Sequence, residues 1–204
     1  MNKPSEKNLS SAIVQFEKSG GTMRTSQARD VGIAPRTLYW MRDNGYLDRL
    51  SRGVYHLRTH PLPANPDVVA VMQRIPKAVL CLVSALEYYD VGTQIPGPIQ
   101  IALPKGTKTP KIDRPRIKVF RMSDRSLNEG VARVEIGGTM IAIFNLAKTV
   151  ADCFKFRNNV GLDVAVEALK EVVGTRRETP AEIIRYAKIN RVDSVMRPYI
   201  EALL

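Results

Sequence analysis

The chain has 204 residues, 44% of them hydrophobic, with 31 Lys+Arg against 20 Asp+Glu and a formal net charge of +11. That apolar fraction excludes wholesale disorder, the want of an apolar run of ~18 residues excludes a transmembrane helix, and two cysteines are too few for a disulfide framework. The N-terminal stretch has no unbroken apolar core ahead of a small-residue cleavage site, so a soluble, cytoplasmic protein without a secretory signal is expected.

The excess charge is concentrated. Residues 1–60 carry ten Lys/Arg against five Asp/Glu, and residues 104–125 carry eight against two. The remainder is close to neutral. Clustered positive charge is the footprint of a polyanion partner.

In chain order, the apolar spacing of Leu9, Ile13, Val14 and Phe16 predicts a helix over Glu6 to Lys18, ended by Gly20-Gly21. Thr25 and Ser26 offer N-cap oxygens to a short helix from Gln27 to Asp30 or Val31. After the Gly32 turn, Pro35 opens a third helix that runs to Asn44, with Gly45 as its C-cap. Ala34, Leu38 and Met41 are expected to pack inward. Arg36, Thr37, Trp40 and Asp43 then face outward, flanked by Tyr39 and Arg42. Such a face suits base edges and phosphates, although Trp40 can equally cover a gap between helix and hairpin. Strands near Tyr46–Leu50 and Val54–Leu57 flank Ser51-Arg52-Gly53 and predict a hairpin carrying Arg49 and Arg52. Three helices and a basic hairpin in this order make a winged helix-turn-helix, whose third helix enters the major groove. In that arrangement Ser26, Gln27 and Arg29 hold phosphates, Arg36, Thr37, Tyr39, Trp40 and Arg42 face the groove, and Arg49 and Arg52 supply the wing.

The Pro-rich stretch 60–66 reads as a stiff linker. The expected division is a winged helix over 1–59, the linker over 60–66 and an α+β domain over 67–204. Beyond the linker, the pattern predicts a helix over Asp67–Ile75, a strand over Val79–Val83, and a helix over Ala85–Asp90 opened by a Ser84-x-x-Glu87 capping box. Strands follow at Ile99–Leu103 and Arg116–Arg121, then a hairpin of Val131–Ile136 and Thr139–Phe144 through Gly137-Gly138. A helix capped by Asn145 runs to about Phe156, and further helices cover Leu162–Val173, the stretch opened by Thr179-Pro180, and Ser194 to Leu203. The fold class is α+β, with a small, mostly antiparallel sheet and a helical tail in the C-terminal part. In the second basic segment, Lys105, Lys108, Lys111, Arg114 and Arg116 either extend the phosphate footprint or form a solvated edge loop whose charge discourages edge pairing.

No catalytic constellation is visible. Lys148 and Asp152 share one helix face four residues apart, the usual mark of a surface pair, and Glu87 stands with them as a polar residue near the sheet. Neither clustered metal-binding carboxylates nor a Walker-type glycine loop is present. His56 and His60 are the only histidines and lie far from both cysteines, so no metal centre and no cofactor are expected.

The stretch from Met23 to Leu57 resembles the N-terminal winged helix of AbiEi-family antitoxins, through Thr37-Leu38-Tyr39, Gly45-Tyr46-Leu47 and the wing Arg52-Gly53-Val54-Tyr55. Ser84-Ala85-Leu86 and Thr149-Val150-Ala151-Asp152 are similar to short motifs of that family's C-terminal domain. The resemblance implies a non-enzymatic, DNA-binding antitoxin that represses its own operon from a repeat operator. It also implies that the chain counteracts a nucleotidyltransferase-like toxin of the AbiEii type without a stable complex, with Ser84, Glu87, Lys148 and Asp152 in the antitoxin domain. The alternative is a ligand-responsive winged-helix regulator with no toxin partner.

Overall fold

The computed structural model describes residues 3–94, 97–112 and 114–203; Asp113, inside the second basic segment, lies outside them. The described chain is of mixed helix and sheet, and it forms two compact units.

The first unit takes in the chain up to Pro76, with 114–115 and 134–141. It opens with α1 (Glu6–Lys18), whose N-cap Ser5 accepts the Asn8 N–H at 3.3 Å. Then come β1 (Thr22–Arg24), α2 (Thr25–Asp30), α3 (Pro35–Asp43), β2 (Leu47–Ser51), β3 (Val54–Leu57) and α4 (Pro66–Arg74). The three strands form an antiparallel sheet in the order β1-β3-β2, with a bulge in β2 between Arg49 and Ser51. Phe16, Met23, Leu38, Met41, Leu47 and Leu57 fill its core. The β1 strand was not legible: three residues between a glycine pair and a helix read as loop.

The expected end of this unit at residue 59 is displaced to Pro76. Val68 through Gln73 of α4 are all buried, and α4 packs on β1, β2 and β3. A helix buried all round must be covered by neighbours, and here those neighbours are the strands before the proline stretch. The 134–141 hairpin tip turns at Gly137-Gly138, with φ of +54° and +74°, as a two-residue turn demands. A Cβ on Gly138 would lie 2.1 Å from the Gly20 Cα. Gly138→Ala is therefore expected to destabilise this unit by about 1–3 kcal/mol, read as a lower urea midpoint.

The second unit takes in 77–112, 116–133 and 142–204, except for the undescribed positions. Its elements are β4 (Val79–Leu80), α5 (Leu82–Tyr88), β5 (Ile99–Pro104), β6 (Ile117–Met122) and α6 (Asp124–Asn128). The hairpin strands β7 (Val131–Ile136) and β8 (Thr139–Phe144), whose tip 134–141 counts with the first unit, follow, then α7 (Leu146–Lys155), α8 (Arg157–Val160), α9 (Leu162–Gly174), α10 (Pro180–Asn190) and α11 (Asp193–Glu201). The sheet order is β6-β5-β4-β8-β7. The α+β class stands, but this sheet is mixed rather than mostly antiparallel. The β5/β6 and β4/β8 pairs are parallel and β4/β5 is antiparallel. The basic connection after β5 is a dozen residues long, enough for a crossover that returns β6 parallel. Phe120 and Met122 share the core face of β6, as the two-residue strand period requires.

The helix after β4 begins at Leu82 with Cys81 as its N-cap, earlier than the expected Ala85. The Ser84/Glu87 capping box is not formed. Ser84 is buried within α5, its Oγ accepts the Gln100 N–H at 2.9 Å, and the Gln100 Oε1 accepts the Val83 N–H at 3.1 Å. Ser84 thus fastens α5 to β5, and Glu87 is exposed.

Candidate nucleic-acid interface

The helix α3 starts where proline can start it, at Pro35, and Ala34 lies outside as the N-cap. At its C-terminus Gly45 adopts φ +78°, and the Tyr46 N–H donates to the Met41 carbonyl at 2.9 Å, a glycine-ended termination that frees the chain to enter the wing. The buried stripe is Thr37, Leu38 and Met41. Two expectations are corrected here. Ala34 is exposed because it precedes the helix, and Thr37 is only 3% exposed, so its hydroxyl cannot face a groove.

At 100° per residue the opposite face is Arg36, Tyr39 and Asp43. Arg36 is exposed and makes no hydrogen bond or ion pair among the described residues. Arg42 is engaged. Its guanidinium holds the Asp43 Oδ1 at 2.7 Å and lies 5.2 Å from the Tyr39 ring centre. The Asp43 bond and charge raise the Arg42 pKa further above its ordinary value. Trp40 is half-buried with its ring centre 5.7 Å from that of Tyr46, so most of its role is to tie α3 to the first wing residue.

The wing is fixed to α2. The Thr25 N–H and Oγ1 both donate to the Gly53 carbonyl, at 2.9 and 3.3 Å. This brings the start of α2, with exposed Ser26, beside the turn that carries exposed Arg52. The N-cap of α2 is Arg24, whose N–H is taken by the Gln27 Oε1 at 3.0 Å; neither Thr25 nor Ser26 caps it. Arg29 and Arg49 are exposed. Arg58, by contrast, is bound to Asp48 at 2.7 Å, a contact that lowers the Asp48 pKa. Among the described residues, Arg29, Arg36, Arg49 and Arg52 are the exposed arginines of α2, α3 and the wing that make no ion pair.

Of the second basic segment, Arg114 falls in the first unit, where its carbonyl accepts from the Ser51 Oγ at 3.2 Å. Lys105, Lys108, Lys111 and Arg116 are exposed residues of the second unit.

The Lys148–Asp152 pair is not on the surface. Both side chains are 0% exposed, and the Lys148 Nζ donates to both Asp152 oxygens at 2.5 Å. The spacing gave a shared helix face, but that face of α7 is turned to the interior. The Asn190 Nδ2 donates to the Asp152 Oδ1 at 2.6 Å, and the Asn190 Oδ1 accepts from the Ser126 Oγ and the Lys155 Nζ at 2.9 and 3.2 Å. Burial pushes the Asp152 carboxyl up, against the pull of the Lys148 ammonium, and also lowers the Lys155 pKa. Ser84, Glu87 and this pair form no common site: Ser84 is bonded to β5, Glu87 is exposed, and the pair is sealed from solvent. Sequence reading missed Asn190 and Ser126, which come from α10 and α6 and carry no local signal.

Residues 11–57, from within α1 to the end of β3, match the family described as "Transcriptional regulator, AbiEi antitoxin". A solved structure, that of the Rv2827c protein from Mycobacterium tuberculosis, aligns with a TM-score of 0.53 at 14% identity, covering 100% of this chain and 82% of that one; the likeness is one of fold. No curated protein matches the chain by sequence. No helix among the described residues is long and apolar enough to cross a membrane.

Proposed function

We propose, from the membership of residues 11–57 in the AbiEi antitoxin family of transcriptional regulators, that this chain represses its own operon through its first unit and counteracts a nucleotidyltransferase-like toxin encoded beside it. The observation that carries the DNA reading is the outward face of α3. An unpaired guanidinium, Arg36, projects from its first turn, and the wing turn bearing Arg52 is bonded to α2. Arg29, Arg49 and Arg52 hold phosphates and set the register of the protein on the duplex, while Arg36 reads a base edge. Thr37 supports the helix from within, and Arg42 orients Asp43 and Tyr39. Lys105, Lys108, Lys111, Arg114 and Arg116 add to the attraction for a polyanion. No persistent complex with the toxin is required.

Arg36→Ala is expected to weaken binding to the DNA upstream of the gene by about 1–3 kcal/mol, measured by fluorescence anisotropy, with no change in fold because the side chain is exposed. An unchanged affinity would remove Arg36 from the interface. The antitoxin half is tested separately by co-expression with the neighbouring toxin gene: growth is restored by the chain and not by an empty vector.

A further inference from the structure

A carboxylate sits where a DNA-binding face has least use for one. Asp43 lies on the outward side of α3, seven residues from Arg36. Seven residues are two turns less about 20°, so the two side chains share one face, separated by about 10.5 Å along the axis. That is roughly three base-pair steps of ~3.4 Å. The Asp43 side chain is half exposed, and the bonds from Arg42 both end on Oδ1, leaving Oδ2 as a spare acceptor. The tie to Arg42 also fixes the carboxylate in one orientation.

We propose that Asp43 is a specificity-determining residue of the DNA interface, one that accepts a hydrogen bond from the exocyclic amino group of cytosine about three base pairs from the base read by Arg36. This rests on the reading of α3 as the groove-facing helix. Cytosine N4 is the amino donor that carboxylates take in the major groove. Adenine N6 also donates but sits beside the N7 acceptor, which faces the carboxylate unfavourably; guanine and thymine offer only acceptors and a methyl group, on which the carboxylate stays unpaired, and against phosphate it repels. Asp43 thus weakens binding most where guanine or thymine stands at that position, discriminating as much by repulsion as by attraction. The guanidinium beside it screens part of its charge from the backbone, so Arg42 acts here as a positioning residue.

The test is an anisotropy titration of the full chain against the upstream DNA and against a scrambled duplex of equal length, for wild type, Asp43→Asn and Asp43→Glu. In Asp43→Asn the affinity for scrambled DNA is expected to rise several-fold and the ratio of upstream to scrambled affinity to fall about tenfold or more. Asp43→Glu keeps the charge and is expected to retain most of the ratio. A ratio unchanged in Asp43→Asn, or an equal loss on both duplexes, overturns the assignment while leaving the DNA-binding reading intact. A wild type with no preference for upstream DNA overturns both.

Discussion

Asp152→Ala is expected to lower the stability of the second unit by about 3–5 kcal/mol, the cost of breaking a buried ion pair by removing one member. Lys148 is fully buried with both Asp152 oxygens at 2.5 Å and the Phe144 ring centre 4.3 Å from its Nζ. Without Asp152 its ammonium would have no anion and no route to water. It would have to lose its proton or open the packing of α7 against α10. Asn190 would lose its acceptor at the same time. Replacing both members with apolar residues, as in Lys148→Met with Asp152→Leu, is expected to recover most of the loss, because desolvation of the pair consumes much of its attraction. Urea denaturation followed by far-ultraviolet circular dichroism decides this. A single mutant as stable as wild type, or a double mutant no better than the single, would contradict it. The buried pair is a structural lock on α6, α7 and α10, and no substrate can reach it as it stands.

A fourfold rise in salt is expected to weaken binding to the upstream DNA by about 40- to 150-fold per chain. Three or four phosphate contacts, the number of unpaired arginines on the face, give a slope of about −2.7 to −3.6 for log affinity against log salt. Arg42 and Arg58 are left out of that sum because each is already ion-paired, with Asp43 and Asp48. A slope near zero would mean that the arginines do not meet phosphate. A slope much steeper would bring Lys105, Lys108, Lys111 and Arg116 into the footprint.

The parts of this protein that were legible in its sequence are those set by local chemistry. Ser, Asn or Thr before a helix, Pro35 and Pro180 at first positions, and Gly45 and the Gly137-Gly138 pair at turns each fix a boundary within a few residues, and α1, α3, α7 and the two hairpins fall close to where those signals put them. The winged-helix order followed from them. What depended on distant partners was hidden. An i, i+4 pair states that Lys148 and Asp152 share a face, but only the arrival of Asn190, 38 residues later, makes that face interior. The apolar run of α4 announces burial without saying in which unit. The parallel β4/β8 and β5/β6 pairs are long-range choices invisible in any one strand. Thr37 was misplaced for a smaller reason: Ala34, which only precedes the helix, was counted in the inward set with Leu38 and Met41, whereas the buried stripe is Thr37, Leu38 and Met41.

The central claim is that the first unit binds the DNA upstream of its own gene by sequence. The most direct test is a gel-shift titration of the full chain on that DNA in excess non-specific competitor, for wild type and for the Arg36→Ala, Arg52→Ala double mutant. The predicted result is a discrete, competitor-resistant shift that the double mutant loses. A smear that competitor removes, equal for both proteins, would contradict it and leave the basic segments with no more than general attraction for polyanions.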